Sequence, residues 1–130
     1  MSRFVRRPPT WIPRFHLAIA GIVDAVRTQR NFVIHLAAAL AVIATAAQLR
    51  VGRREWCLLV LCVTVVLVAE LFNTALEHLA RAITEEENDR LRRALDIASG
   101  AVLTAAVGAA TVGAVIFLHR LGQLGFGWPV

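Results

Sequence analysis

Residues 55–79, EWCLLVLCVTVVLVAELFNTALEHL, decide how this chain folds. The stretch is long enough to supply the ~20 apolar residues that a helix needs to cross a bilayer core of about 30 Å. Glu70, Asn73 and Glu77 interrupt its second half at positions i, i+3 and i+7. At 100° per residue, Asn73 lies about 60° and Glu77 about 20° from Glu70, so all three share one helix face. Glu70 sits about 10 Å deeper than Glu77 along that face. An acidic residue at mid-membrane depth costs roughly 2.5–3.5 kcal/mol on insertion scales. Packing alone gives no reason to bear that cost twice on one face. The structural alternative is that both are protonated or reach the interface and pair with Arg, which suits Glu77 better than Glu70.

Two further stretches have the same character. Residues 32–49 (FVIHLAAALAVIATAAQL) and 97–118 (IASGAVLTAAVGAATVGAVIFL) each approach the length of a span. In the third span Ala101, Ala105, Ala109 and Gly113 recur every four residues, as do Gly100, Thr104 and Gly108. Small residues at this spacing let helix backbones approach closely in lipid. The composition agrees: of 130 residues 58% are hydrophobic and only 18% charged, and the mean hydropathy is +0.64. Roughly 45–50% apolar is usual for a soluble domain. There are too few polar residues here to clothe a globule, and disorder is excluded by the same numbers. The fold class is all-α integral membrane.

The ends of the chain differ from the spans. Residues 1–13 (MSRFVRRPPTWIP) are basic and proline-rich and read as a flexible leader. No apolar core with a small-residue cleavage site follows them, so they are not a signal peptide. Residues 14–29 (RFHLAIAGIVDAVRTQ) place Phe15, Ile19, Ile22, Val23 and Val26 at three- to four-residue spacing, with His16, Asp24 and Arg27 on the other side. That pattern suits an amphipathic helix in the membrane interface, or one docked on the bundle. Residues 121–130 form a tail, and residues 14–120 a single domain. Cys57 and Cys62 match no metal or redox spacing and read as packing or lipid-facing residues.

Charge gives the orientation. The net charge is +5, and all fourteen basic residues are Arg. These lie between apolar stretches, so lipid headgroups rather than nucleic acid are the partner. Ten Arg fall in the leader, the first helix and its end, and the 80–93 loop, against four (Arg50, Arg53, Arg54, Arg120) on the other side. The positive-inside rule places the N-terminus and the 80–93 loop in the cytoplasm, with a bacterial inner-membrane location for this multi-pass chain.

Other polar residues gather at the same level as Glu77. Gln29, Arg30, Asn31 and His35 open the first span, and Asp96 and Ser99 open the third. Taken singly, Asp96 is a charge favoured by a helix start, and His35 an interhelical histidine. Together they form a polar ring drawn from three helices. A carboxylate pair beside an Arg-bearing loop can hold Mg²⁺ and phosphate oxygens, since Mg²⁺ prefers carboxylates combined with substrate phosphates. The loop ARAITEEENDRLRR (80–93) is either a solvated connector or a nucleotide contact. There is no Gly-rich phosphate loop, and with no Lys in the chain a phosphate-binding lysine is impossible.

The pattern Glu70-x-x-Asn73-x-x-x-Glu77, a short acidic loop, then Asp96-Ile97-Ala98-Ser99-Gly100-Ala101-Val102 resembles the prokaryotic diacylglycerol kinase family, in particular its undecaprenol kinase branch. Upstream, Arg30-Asn31-Phe32-Val33-Ile34-His35-Leu36 is similar to the family's RNFRIHL segment, and Phe15–Gly21 falls where the family has its surface helix. The resemblance runs over roughly residues 14–120. It implies a homotrimer of three-span subunits, each with an N-terminal surface helix. It also implies transfer of the γ-phosphate of ATP, with Mg²⁺, to a lipid alcohol at the cytoplasmic membrane face. Undecaprenol is favoured, and diacylglycerol is the alternative.

Carried over, Glu70 is the general base and Asn73 orients the phosphate or the base. Glu77 ligates Mg²⁺ with Gln29 as a weak helper. Glu86, Asn88, Arg92 and Asp96 lie at the nucleotide, and Arg30, His35 and Ser99 lie at the lipid substrate. Two residues depart from the family pattern: Gln29 stands where many members have a second metal-binding Glu, and Leu95 where a Lys is usual. These departures keep a second class open, a catalytically impaired or non-catalytic structural protein of the same fold. A third class, an ion-conducting oligomer, requires polar groups through the outer half of the bundle, and the sequence has none there.

Overall fold

The computed structural model describes residues 10–125. They form four helices: α1 (Trp11–Thr28), α2 (Arg30–Gln48), α3 (Arg53–Ile83) and α4 (Asp89–Gly125). The leader up to residue 9 and the tail from residue 126 lie outside the described residues. The last three helices are long and apolar enough to cross a membrane, as the three apolar stretches require. This is a membrane protein.

The helices overrun the apolar stretches. α1 begins at Trp11 rather than residue 14, because a proline in the first turn, here Pro13, lacks only an N–H that has no helical partner anyway. α3 continues to Ile83, and α4 starts at Asp89, not 97. The connection is therefore 84–88 and not 80–93. Asn88 supplies the start signal: its Oδ1 accepts from the backbone N–H groups of Arg90 at 3.0 Å and Leu91 at 3.1 Å, the two donors that an N-cap residue satisfies. Hydropathy marks only the embedded part of a helix, so the polar turns beyond it were not visible as helix.

The turn from α2 to α3 closes the opposite end. Arg50 N–H donates to Ala47 O and Val51 N–H to Ala46 O, both at 3.2 Å, the pairing of a Schellman motif. Arg50 takes the left-handed position there, with φ 48°, where glycine is usual. Val51 then packs with Ala46, Leu59 and Ile116. Gly52 starts α3, its N–H bonded to the Glu55 carboxylate. Arg120 on α4 fastens this turn: its Nε donates to Leu49 O and its Nη2 to Arg50 O, each at 3.0 Å. Arg120→Ala removes these two hydrogen bonds and a third from Nη1 to Gln123 Oε1 at 2.9 Å, and is expected to lower stability by about 1–3 kcal/mol, measured by SDS titration of the purified protein in mixed micelles.

α3 and α4 form the main pair, and α2 packs on α3. The facing rows advance by three and four residues. On α3 they are Leu59, Val63, Val66, Glu70, Asn73 and Glu77; on α4, Leu91, Leu95, Ala98, Val102, Ala105 and Ala109, all buried or half-buried. This is the spacing of a coiled-coil seam. It explains why Glu70 and Asn73 are buried: the polar residues occupy seam positions. The glycine stripe of α4 does not bring backbones together within the chain, however. A Cβ added at Gly100, Gly108 or Gly113 would meet no atom within 4 Å, so these glycines meet no neighbour within the chain, while Ala105 and Ala109 of the same stripe lie in the row facing α3. α1 is held loosely, with Ala25 its one buried residue and Phe15, Leu17 and Ile19 exposed.

Candidate functional site

Where the α3 row turns polar, it meets the start of α2 and the first half of α4. Glu70 is 3% exposed and Asn73 5%. Asn73 Nδ2 donates to Glu77 Oε1 at 2.9 Å, one turn along the same helix. The Ser99 hydroxyl approaches Asn73 Oδ1 from α4 at 3.5 Å, a long contact. Glu77 is also 3.7 Å from the Arg81 guanidinium. Asn73 thus orients Glu77, and Glu77 lies between an amide and a cation.

Glu70 is arranged differently. It borders a cavity of about 220 Å³ together with Asn31 and His35 of α2, Asn73 of α3, and Ser99, Val102, Leu103 and Ala106 of α4. No hydrogen bond or ion pair to its carboxylate occurs among the described residues. Its oxygens open on the cavity and are not sealed in the packing, since no buried side-chain oxygen or nitrogen among the described residues lacks a partner. A ligand hydroxyl entering the cavity would supply a donor. Sequence, local structure and chemistry meet at this point: the seam buries Glu70, the gap at α2 exposes it to a cavity, and the cavity has room for an alcohol.

The two residues implied as metal ligands stand in separate contacts. Gln29 forms the break between α1 and α2, with extended backbone at φ −110° and ψ 106°. Its Nε2 lies 3.2 Å from His78 Nε2, with the histidine tautomer setting the donor and acceptor roles. His78 follows Glu77 on α3, so the two side chains leave the helix about 100° apart. Among the described residues no three His, Cys, Asp or Glu side chains come together in a way that could hold a metal ion. Glu77 touches Asn73 and Arg81, and no contact joins it to Gln29 among the described residues, so its donor set is one carboxylate. That set fits an ion that arrives with phosphate oxygens, since Mg²⁺ is usually held by one or two carboxylates together with substrate phosphates.

The remaining expected residues divide in two. His35 and Ser99 border the cavity, while Arg30 is exposed at the first position of α2. Glu86, Asn88, Arg92 and Asp96 do not border it. Glu86 is exposed in the 84–88 connection, its N–H donated to Thr84 Oγ1 at 3.0 Å. Arg92 is paired with Asp89 at 3.1 Å. Asp96 does not open the third span: it lies two turns into α4, beyond the reach of the helix-start dipole, which fades within the first turn. Leu95 is half-buried in the row facing α3, a packing residue.

Sequence reasoning missed His78, whose partner is 49 positions away, and gave Asn31 no role. The Asn88 cap has its own test. Asn88→Asp is expected to keep the cap, and Asn88→Ala to cost about 1 kcal/mol of stability, read as the thermal midpoint of the purified protein.

Residues 16–117 match the sequence profile of the prokaryotic diacylglycerol kinase family. An undecaprenol kinase of Bacillus subtilis is 38% identical over 101 residues, spanning 78% of this chain and 82% of that protein. A diacylglycerol kinase of Synechocystis sp. is 38% identical over 117 residues, spanning 89% of this chain and 67% of that protein. With a profile match over most of its length and two such relatives, the chain belongs to the prokaryotic diacylglycerol kinase family.

Proposed function

We propose that this protein is a lipid kinase that transfers the γ-phosphate of ATP to the hydroxyl of a lipid alcohol at the cytoplasmic face of the bacterial inner membrane. The observation that carries the reading is Glu70, a residue buried in the helix seam whose carboxylate has no protein donor among the described residues and opens on a cavity between three membrane helices. The substrate hydroxyl donates its hydrogen bond to Glu70. Its oxygen attacks the γ-phosphorus, its proton passes to the Glu70 carboxylate, and the bond to the β-phosphate oxygen breaks to release ADP. General-base help of this kind is worth about 10²–10⁴-fold. Phosphoryl transfer otherwise depends on positioning and charge neutralisation.

Asn73 holds Glu77 at 2.9 Å, and Glu77 with Gln29 would hold Mg²⁺, which neutralises the phosphate charge when bound. Glu86, Asn88, Arg92 and Asp96 are the nucleotide side, and Arg30, His35 and Ser99 the lipid side. The excess of Arg at the 84–88 end supports the cytoplasmic orientation, and the exposed apolar residues of α1 support a helix in the interface. A homotrimer completes the reading. Undecaprenol is favoured over diacylglycerol, supported by the RNFVIHL segment and by the relative that is named an undecaprenol kinase.

Purified protein incubated with radiolabelled ATP, Mg²⁺ and a panel of lipid alcohols tests this. Label in undecaprenyl phosphate upholds the reading, and label only in phosphatidic acid moves the substrate to diacylglycerol. No label in any lipid favours the second reading, a catalytically impaired protein of the same fold. Gln29 and Leu95, neutral where charge would help, are the observations behind that reading.

A further inference from the structure

The end of the bundle away from Glu70 carries positive charge that the fold itself does not use. Arg53 and Glu70 stand about 26 Å apart along α3. Four Arg gather at that end, Arg50, Arg53, Arg54 and Arg120, with a single carboxylate, Glu55. The chain engages two of these five groups. Arg120 donates to Leu49 O, Arg50 O and Gln123 Oε1, and the Glu55 carboxylate accepts from Gly52 N–H.

The other three are left over. The side chains of Arg50, Arg53 and Arg54 are exposed and make no ion pair or hydrogen bond among the described residues. All three leave the chain within residues 50–54, at one tight turn, so three positive charges share one vertex. Arg53 and Arg54 also stand in the first turn of α3, where the helix dipole opposes a cation. The turn holds this charge at a cost, and an anion from outside the chain offsets it.

The level of the turn decides which anion that is. Leu58, four residues after Arg54, is 49% exposed, and Leu118, two residues before Arg120, is 70% exposed. The apolar surface therefore ends about one helical turn, 5.4 Å, from the Arg residues. The polar layer on each side of a bilayer is about 5–8 Å thick, so the guanidinium groups stand among lipid headgroups. The anion at that level is a phosphodiester, whose oxygens match the planar fork of guanidinium donors.

We propose that the α2–α3 turn is a binding site for the phosphodiester of an anionic phospholipid, held by Arg50, Arg53 and Arg54 in the leaflet away from the Glu70 cavity. A zwitterionic headgroup brings its own cation, which three Arg repel, so the site selects phosphatidylglycerol over phosphatidylcholine. This site stands whether or not Glu70 acts as a base.

Trp56, half-buried two residues from Arg54, reports on the site. With Trp11 and Trp128 replaced by Phe, its fluorescence in the whole protein is measured in vesicles holding brominated phosphatidylglycerol or brominated phosphatidylcholine at equal mole fraction. Stronger quenching by phosphatidylglycerol is expected. Arg53→Gln and Arg54→Gln are each expected to lower that preference by up to about fivefold, the share of one Arg near an anionic surface. Arg53→Lys and Arg54→Lys are expected to keep most of it. Arg50→Gly separates binding from folding. It removes a guanidinium but puts glycine at a left-handed position, φ 48°, so the unfolding midpoint is expected to hold or rise while the lipid preference falls.

Equal quenching by the two lipids in the parent overturns the proposal, as does a preference that survives all three neutral substitutions. An equal loss in Arg27→Gln, on α1, overturns it by reducing the effect to diffuse surface attraction. Displacement of the lipid by soluble glycerol phosphate overturns the assignment to a bilayer lipid. A Trp56 shielded from both lipids means that a second copy covers the turn, and overturns it too.

Discussion

Replacing Glu70 by Gln is expected to cut phosphate transfer by about 10²–10⁴-fold while the protein still folds and inserts. The substitution keeps the shape of the side chain and removes the one carboxylate at the cavity, leaving His35 as the other proton-accepting side chain on its lining. The carboxylate has no donor among the described residues to lose, so no internal hydrogen bond is broken. A neutral amide is also cheaper than a carboxylate at membrane depth, by up to about 2–3 kcal/mol on insertion scales. Stability is therefore expected to hold or rise, and the pairing of lost turnover with an unchanged or higher unfolding midpoint is the signature. Turnover near that of the parent would remove Glu70 from the base role. Loss of turnover together with loss of fold would make it a structural carboxylate instead.

That experiment concerns the part of the site that could be read from the sequence. Glu70, Asn73 and Glu77 share a face because the helix period places them there, and hydropathy alone indicates that the helix is embedded. The three spans follow from the same two signals. What stayed hidden depends on contacts between distant residues or on polar helix ends. The start of α4 at Asp89 rests on one amide oxygen of Asn88 accepting two N–H groups, in a stretch whose charges resemble a loop. Asp96 was consequently placed at a helix start, although two turns of helix precede it.

The Gln29–His78 contact joins an interhelical break to the far part of α3, and no local pattern announces it. Leu95, a departure from the family when read as sequence, is a member of the α3-facing row in the structure. A Lys there would have to carry its charge out of a half-buried seam. The small-residue stripe of α4 divides in its meaning: Ala105 and Ala109 lie in the row facing α3, while a Cβ at Gly100, Gly108 or Gly113 would meet nothing within 4 Å, and spacing alone could not say which residues do which.

The second large effect concerns Mg²⁺. If Glu77 supplies the main carboxylate and Gln29 only a neutral oxygen, then the ion is held mostly by the nucleotide phosphates. Glu77→Ala removes the sole carboxylate of this pair. It also leaves Asn73 Nδ2 without its 2.9 Å acceptor and Arg81 without its partner at 3.7 Å. The Mg²⁺ concentration for half-maximal activity is expected to rise by about tenfold or more, the equivalent of about 1.4 kcal/mol of binding, or activity is lost at every concentration.

Gln29→Glu acts in the opposite direction. A second carboxylate adds attraction at short range, so less Mg²⁺ is needed, although the new charge also lies beside His78, within reach of the present 3.2 Å contact. The measurement is an Mg²⁺ titration of activity for the parent and both variants. Binding of Mn²⁺ with a non-hydrolysable ATP analogue, read by electron paramagnetic resonance, supplies a readout that does not depend on turnover. A matching shift in both readouts places the ion at Glu77. If metal demand is unchanged in both variants, neither residue touches the ion, and the Asn73–Glu77–Arg81 chain braces α3 along its own length rather than binding a nucleotide.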